Sequence, residues 1–402
     1  MKYIDVYKLF KGIINYTDNQ ITVAGVNKIR NFTFTSNNCF LLPDYSDEET
    51  LNGYDLQHET GITHKMLDIN DTDVKDNISF RYHVFSPVNV EKAHKIILMF
   101  HGFNEKDWYK YLPWARQLVN VTGKTVVLFP IAFHMNRAPQ EWSDKRPMYE
   151  VSNRRRELFP DIICSSLSNA AISTRLHAKP QRFVWSGLQA YYDIIQFIDE
   201  YKSGSHPFIA PEAEVDMFSY SIGAFLAEIL IMTNHKNYFD KTKLAMFCGG
   251  PVFNRLSPVS KFILDSQTNV ALYSYLVEHL DSHLKKDEKL RHYLCDLPEG
   301  IGFHSMLNYG VMSDLREERL RAVGERLYAV ALKQDTVVPS YEVANTLKGK
   351  NRDIPVRVDV FDLPYPHKHE DPFPLLEKYG DEIDAGFHRV FDPICKFLSD
   401  AE

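Results

Sequence analysis

The sequence predicts an α/β protein whose mostly parallel, doubly wound sheet carries helices on both faces. Two patterns predict it. Short unbroken apolar runs, Lys95-Ile-Ile-Leu-Met-Phe-His101 and Thr125-Val-Val-Leu-Phe-Pro130, read as parallel strands buried on both sides. Between them, Tyr111, Trp114, Ala115, Leu118 and Val119 recur at helical spacing and stop at Gly123, which completes a strand, helix, strand unit. The same alternation recurs downstream.

In chain order, residues 1–77 read as an N-terminal extension. It opens on an amphipathic helix (Ile4, Tyr7, Leu9, Phe10, Ile13, Ile14) and passes through Gly-, Asn- and Asp-rich segments with one alternating stretch at 29–35. From Ile78 the pattern changes: Ile78, Phe80, Tyr82 and Val84 alternate with polar residues as a strand does. Residues 132–188 form a polar and aromatic insertion that contains Arg154-Arg155-Arg156, a run expected to be a solvated face. A strand at 215–220 leads into a helix at 222–232, and strands follow at 243–248, 326–332 and 355–362. A terminal helix occupies 381–398 despite Pro393. Residues 78–251 and 321–402 are thus the core. The segment 252–320 is far longer than a strand crossover needs and is expected to be a helical cap.

Composition narrows the function. With 44% apolar and 25% charged residues in 402, the chain can bury a large core, which excludes fibrous and wholly disordered classes. A net charge of −7 provides no positive field for nucleic acid. Asp5 and Lys8 interrupt the start, and the apolar runs are too short to span a bilayer, so neither export nor membrane insertion is expected. Five scattered cysteines without C-x-x-C spacing fit a reducing cytoplasm.

Four motifs carry possible chemistry. Ser219-Tyr-Ser221-Ile-Gly223 joins a strand to a helix, where a sharp turn demands small residues two before and two after the exposed Ser221. Ser221 would then stand at a helix N-terminus, which favours negative charge on a bound oxygen. His101-Gly102-Phe103-Asn104 follows the strand at 95–100, so that Gly102 can turn the backbone and aim the Phe103 N–H beside that of Ile222. Asp335-Thr-Val-Val-Pro339 follows a strand and precedes a helix; alone it would read as a helix cap. His367-Lys-His369-Glu-Asp-Pro-Phe373 follows the last strand, and either histidine could reach Ser221. Asp335 follows its strand by a short loop and is favoured over Asp362, which is expected to stay in strand register.

With these motifs in the order Ser221, Asp335, His369, the chain resembles the α/β-hydrolase superfamily from about residue 78 to 400. The resemblance implies a serine hydrolase that cleaves a carboxylic ester, or an amide or thioester, through an acyl-enzyme. Ser221 would be the nucleophile, His369 the base with His367 as alternative, Asp335 the acid, and the N–H groups of Phe103 and Ile222 the oxyanion hole. His101, Gly102, Ser219 and Gly223 would support them. Two other readings stay open: an acyltransferase using the same residues, and a non-catalytic binding protein on the hydrolase scaffold. The partner expected is a small acyl substrate, with no cofactor. Metal binding competes weakly: by Glu278, His279 and His283 because the charges at 287–291 look solvated, and by His367 and His369 because no carboxylate ligand motif accompanies them.

Overall fold

The apolar runs become nine strands of a single sheet in the computed structural model, which describes residues 1–13, 20–23, 27–43 and 51–400. The strands are β1 (Gln20–Val23), β2 (Asn27–Thr35), β3 (Ser79–Pro87), β4 (Ala93–Phe100), β5 (Thr125–Leu128), β6 (Ile209–Tyr220), β7 (Leu244–Phe247), β8 (Leu327–Leu332) and β9 (Arg357–Phe361). Their order is β1-β2-β3-β5-β4-β6-β7-β8-β9. From β5 onward every pairing is parallel, whereas β1, β2 and β3 pair antiparallel at one end. This is an α/β-hydrolase fold with a mostly parallel sheet.

The period of two along each strand sorts side chains between two cores. Ile96, Leu98, Phe100, Met217, Met246 and Ala329 face one core with the helices Arg182–Lys202 and Ile222–Thr233. Ile97, Met99, Phe218, Tyr220, Phe247 and Val330 face the other, under the helices Tyr3–Ile13, Tyr111–Thr122 and Gly380–Leu398. Continuous apolar runs are needed because both faces are covered. Among the described residues no helix is long and apolar enough to cross a membrane.

Three expectations need correction. Residues 1–77 are not an appendage: β1 and β2 extend the sheet itself, and the Tyr3 N–H donates to Asp384 Oδ1 at 2.8 Å in the terminal helix. β2 lies near a sheet end and is covered in part on each face, with Ile29 in one core and Phe34 in the other. The insertion expected at 132–188 ends earlier, because the core helix Arg182–Lys202 begins inside it. Its remaining helices, Lys145–Leu158 and Ala170–Ala178, bury Met148, Val151, Ala170 and Ala171 against Met66 and Val74 from the N-terminal region.

The third correction concerns Arg154-Arg155-Arg156. Arg155 is fully buried and grips Asp265, also fully buried, through two bonds of 2.7 and 2.8 Å, while Arg154 pairs with Glu59 at 3.0 Å. These ion pairs fasten the 132–181 stretch to the N-terminal region and to the segment that follows β7. Removing one partner of a buried pair strands the other charge in a dry site. Arg155→Ala is expected to destabilise the fold by about 3–5 kcal/mol. Denaturant unfolding checks this, and a loss below about 1 kcal/mol would mean that the pair does not tie these segments together.

Candidate active site

β4, β6, β8 and β9 run in one direction, so the residues that follow them gather at one edge of the sheet. Ser221 follows β6 directly and opens the helix Ile222–Thr233 with φ 55° and ψ −123°. A non-glycine residue there is strained by roughly 1–3 kcal/mol, and surrounding packing must hold it. The packing is tight: a Cβ on Gly223 would come within 2.8 Å of the carbonyl oxygens of Phe100 and His101. A Cβ on Gly249 would meet Ala224 Cβ at 2.4 Å, so β7 also approaches the elbow closely. Ser219 is fully buried between the strands, where only a small side chain fits.

Ser221 Oγ lies 2.7 Å from His369 Nε2, and His369 Nδ1 lies 2.7 Å from Asp335 Oδ2. The other Asp335 oxygen, Oδ1, accepts the N–H groups of Val337 and Val338, both at 2.9 Å. Those two bonds fix the carboxylate plane and keep Asp335 acting as an acceptor toward the imidazole. The loop bearing His369 is held from several sides. The Tyr220 hydroxyl donates to the His369 carbonyl oxygen, and its ring stacks on the imidazole at 14°. Lys110 Nζ donates to the Glu370 carbonyl oxygen at 2.8 Å, and Ser260 Oγ donates to Glu370 Oε1 at 2.5 Å.

The loop after β4 is anchored by His101. Ile131 N–H donates to His101 Nε2 at 2.9 Å, which leaves the proton on Nδ1 to donate to the Gly102 carbonyl oxygen at 2.8 Å. Burial first, and then the neighbouring His134, push the His101 pKa well down, so it serves as a neutral brace. Phe103 and Ile222 line the same chamber as Ser221, and among the described residues neither backbone N–H has an acceptor. The chamber holds about 550 Å³ of space, part of it open to solvent, and its walls include Phe183, Phe225, Phe253, Leu264 and Val338. Leu256, Pro258, Ile263 and Leu272 bring the beginning of the 252–320 segment to this wall.

The other candidates lie apart. His367 Nδ1 donates to the Tyr365 carbonyl oxygen at 2.9 Å, and Asp362, exposed just past the end of β9, accepts from Gln334 at 2.7 Å. His283 stacks on Tyr275 at 4.1 Å instead of joining Glu278 and His279 around an ion. Among the described residues, the one group of possible metal ligands with atoms within 4.8 Å of each other is Cys248, Asp335 and His369. In that group the imidazole and carboxylate are already bonded to each other. Sequence reasoning missed Cys248. Burial, and then the adjoining Asp335 carboxylate, push its thiol pKa well up, so it stays protonated beside Asp335. It also missed Tyr220, although its place beside Ser221 was a usable signal.

The model of a family of unknown function, DUF6051, matches residues 1–399. The chain belongs to this family. The match runs through residues 1–77, the region that supplies β1 and β2 to the sheet of this DUF6051 member. Among curated proteins nothing matches the chain. Solved structures similar to it include carboxyl esterase 2 of the mycorrhizal fungus Tuber melanosporum, at 11% identity over 79% of this chain and 81% of that one, with a TM-score of 0.43. A thermostable esterase from Pseudomonas putida ECU1011 is 11% identical over 99% and 89%, with a TM-score of 0.42. A cold-adapted esterase from an Arctic intertidal metagenomic library is 9% identical over 96% and 100%, with a TM-score of 0.40. The fold itself is read from the strand order and pairing of this chain.

Proposed function

We propose that this protein hydrolyses carboxylic esters through an acyl-enzyme formed on Ser221. The observation that carries the reading is the pair of 2.7 Å contacts that link Ser221 to His369 and His369 to Asp335 at the wall of an apolar chamber. In this reading Ser221 Oγ attacks the carbonyl carbon while its proton passes to His369 Nε2. The negative oxygen is received by the N–H groups of Phe103 and Ile222. Collapse breaks the bond to the alkoxide, which leaves as the alcohol with the proton from His369. Water repeats the sequence and releases the acid, so no cofactor enters. Amides and thioesters are lesser candidates for the same machinery. The segment 252–320 acts as the cap, with acyl selectivity set by its first residues at the chamber wall. Five cysteines, all unpaired, fit a reducing compartment such as the cytoplasm.

A panel of p-nitrophenyl esters from acetyl to octanoyl tests this. The expected result is hydrolysis with an initial burst of about one p-nitrophenol per chain, the mark of an accumulating acyl-enzyme. No hydrolysis across the panel would overturn the reading.

Asp335→Asn is a sharper probe. Oδ1 already accepts two N–H groups, so in the variant the amide oxygen stays there and the NH₂ faces His369. His369 Nδ1 must then accept, its proton moves to Nε2, and it can no longer take a proton from Ser221. Turnover is expected to fall about ten-thousandfold with the fold intact. A loss below tenfold would remove Asp335 from the mechanism.

A further inference from the structure

Two chambers meet at Phe103 and Phe183. The one that holds Ser221 is walled by apolar side chains and glycine backbone. The second, about 540 Å³ with part of it open to solvent, is lined by Phe133, Trp142, Ile172 and Leu176, yet its wall also carries Lys106, Arg175, Arg182 and Asp71. Three positive groups against one negative make this chamber cationic in a protein of net charge −7. Both arginines bind Asp71, so part of their charge is already answered. Lys106 is different. Among the described residues its ammonium has neither a hydrogen bond nor an ion pair, and Glu105, the acid whose field reaches it, is engaged by Lys110 and the Tyr111 hydroxyl. Lys106 is partly buried and also lines another cleft beside Glu105, Asp107 and Lys110, and the desolvation it does meet pulls its pKa down to about 8. The placement is informative because Lys106 lies three residues beyond Phe103, which lines both chambers. A lone, compact ammonium on this wall matches one negative charge better than the two of a phosphate.

We propose that Lys106 is an anion anchor: the ester cleaved at Ser221 carries a carboxylate at its end remote from the scissile bond, and Lys106 holds it in the second chamber. This rests on the esterase reading of Ser221. It makes Lys106 a specificity-determining residue that rewards the charged substrate, because its unpartnered ammonium gains an ion pair only from a substrate that carries the carboxylate.

Two substrate pairs test it and separate the acyl side from the leaving-group side. The first pair is p-nitrophenyl butyrate and the mono-p-nitrophenyl ester of glutarate. The second is the butyrate esters of 4-ethylphenol and of 4-hydroxyphenylacetate. The readout is the ratio of kcat/KM for the charged member over the neutral one, with thermal melting as the check on folding. At least one pair is expected to give a ratio of about ten or more, falling at least tenfold in Lys106→Met, largely kept in Lys106→Arg and inverted in Lys106→Glu. Ratios near one in both pairs, or a ratio that Lys106→Met leaves unchanged, would overturn the anchor while leaving the esterase reading standing. Failure to turn over any of the four esters would overturn both.

Discussion

Ser221→Ala is expected to lower turnover of an activated ester by about a millionfold, the size of effect seen when a triad nucleophile is removed. The loss should be that large because nothing nearby can replace the hydroxyl. Ser165 Oγ lies 3.2 Å from Ser152 Oγ, Ser166 Oγ donates to the Lys261 carbonyl oxygen, and Ser168 lies in the same loop with its carbonyl bonded to Asn104. None of these follows a strand end under a helix N-terminus. What survives in the variant is catalysis by binding and the two backbone N–H groups alone, about a thousandfold or more over water. Alanine keeps a Cβ at φ 55°, so the elbow is neither relieved nor further strained, and the melting temperature should barely move. Activity above about a tenth of the original would remove Ser221 from the role.

His369→Ala should match that loss, because nucleophile and base act as a unit. His367→Ala should stay within about threefold. The contrast follows from where the two rings point. His369 bridges Ser221 and Asp335 with both nitrogens and is almost fully buried, whereas His367 turns its Nδ1 onto the Tyr365 carbonyl oxygen. Assay of both variants on one ester decides the matter. A large loss in His367→Ala with near-normal His369→Ala would transfer the base to His367.

Much of the fold was legible because its signals are local. A strand covered on both faces must be apolar throughout, so β4, β5, β7 and β8 announce themselves in short runs. The elbow was legible because the contacts that exclude a side chain at Gly223 come from backbone atoms, and backbone crowding selects residue type whatever else surrounds it. Ser221, Asp335 and His369 follow the ends of β6, β8 and β9, and parallel pairing gathers those ends at one edge. What stayed hidden depends on long-range packing. Arg155 reads as one member of a solvated basic run until Asp265, a hundred and ten positions away, closes on it. The contribution of residues 1–77 to the sheet and to the wall around Met66 rests on partners beyond residue 78. Cys248 follows a strand like any buried cysteine, and only the loops carrying Asp335 and His369 bring their side chains to its thiol. Lys106 sits in a run of charges, Glu105-Lys106-Asp107, that a sequence reader assigns to solvent. The pairing of Glu105 with Lys110 is what leaves its charge unanswered.

The most direct test of the account is to treat the native protein with a fluorophosphonate, digest it and locate the adduct by mass spectrometry. A phosphonyl group enters only where a serine oxygen is activated by a base and the developing negative oxygen is held by donors, so the probe reports the whole site in one event. The account predicts a single adduct on Ser221, lost in Ser221→Ala and strongly slowed in His369→Ala. An unlabelled protein, or an adduct on any other residue, would contradict it.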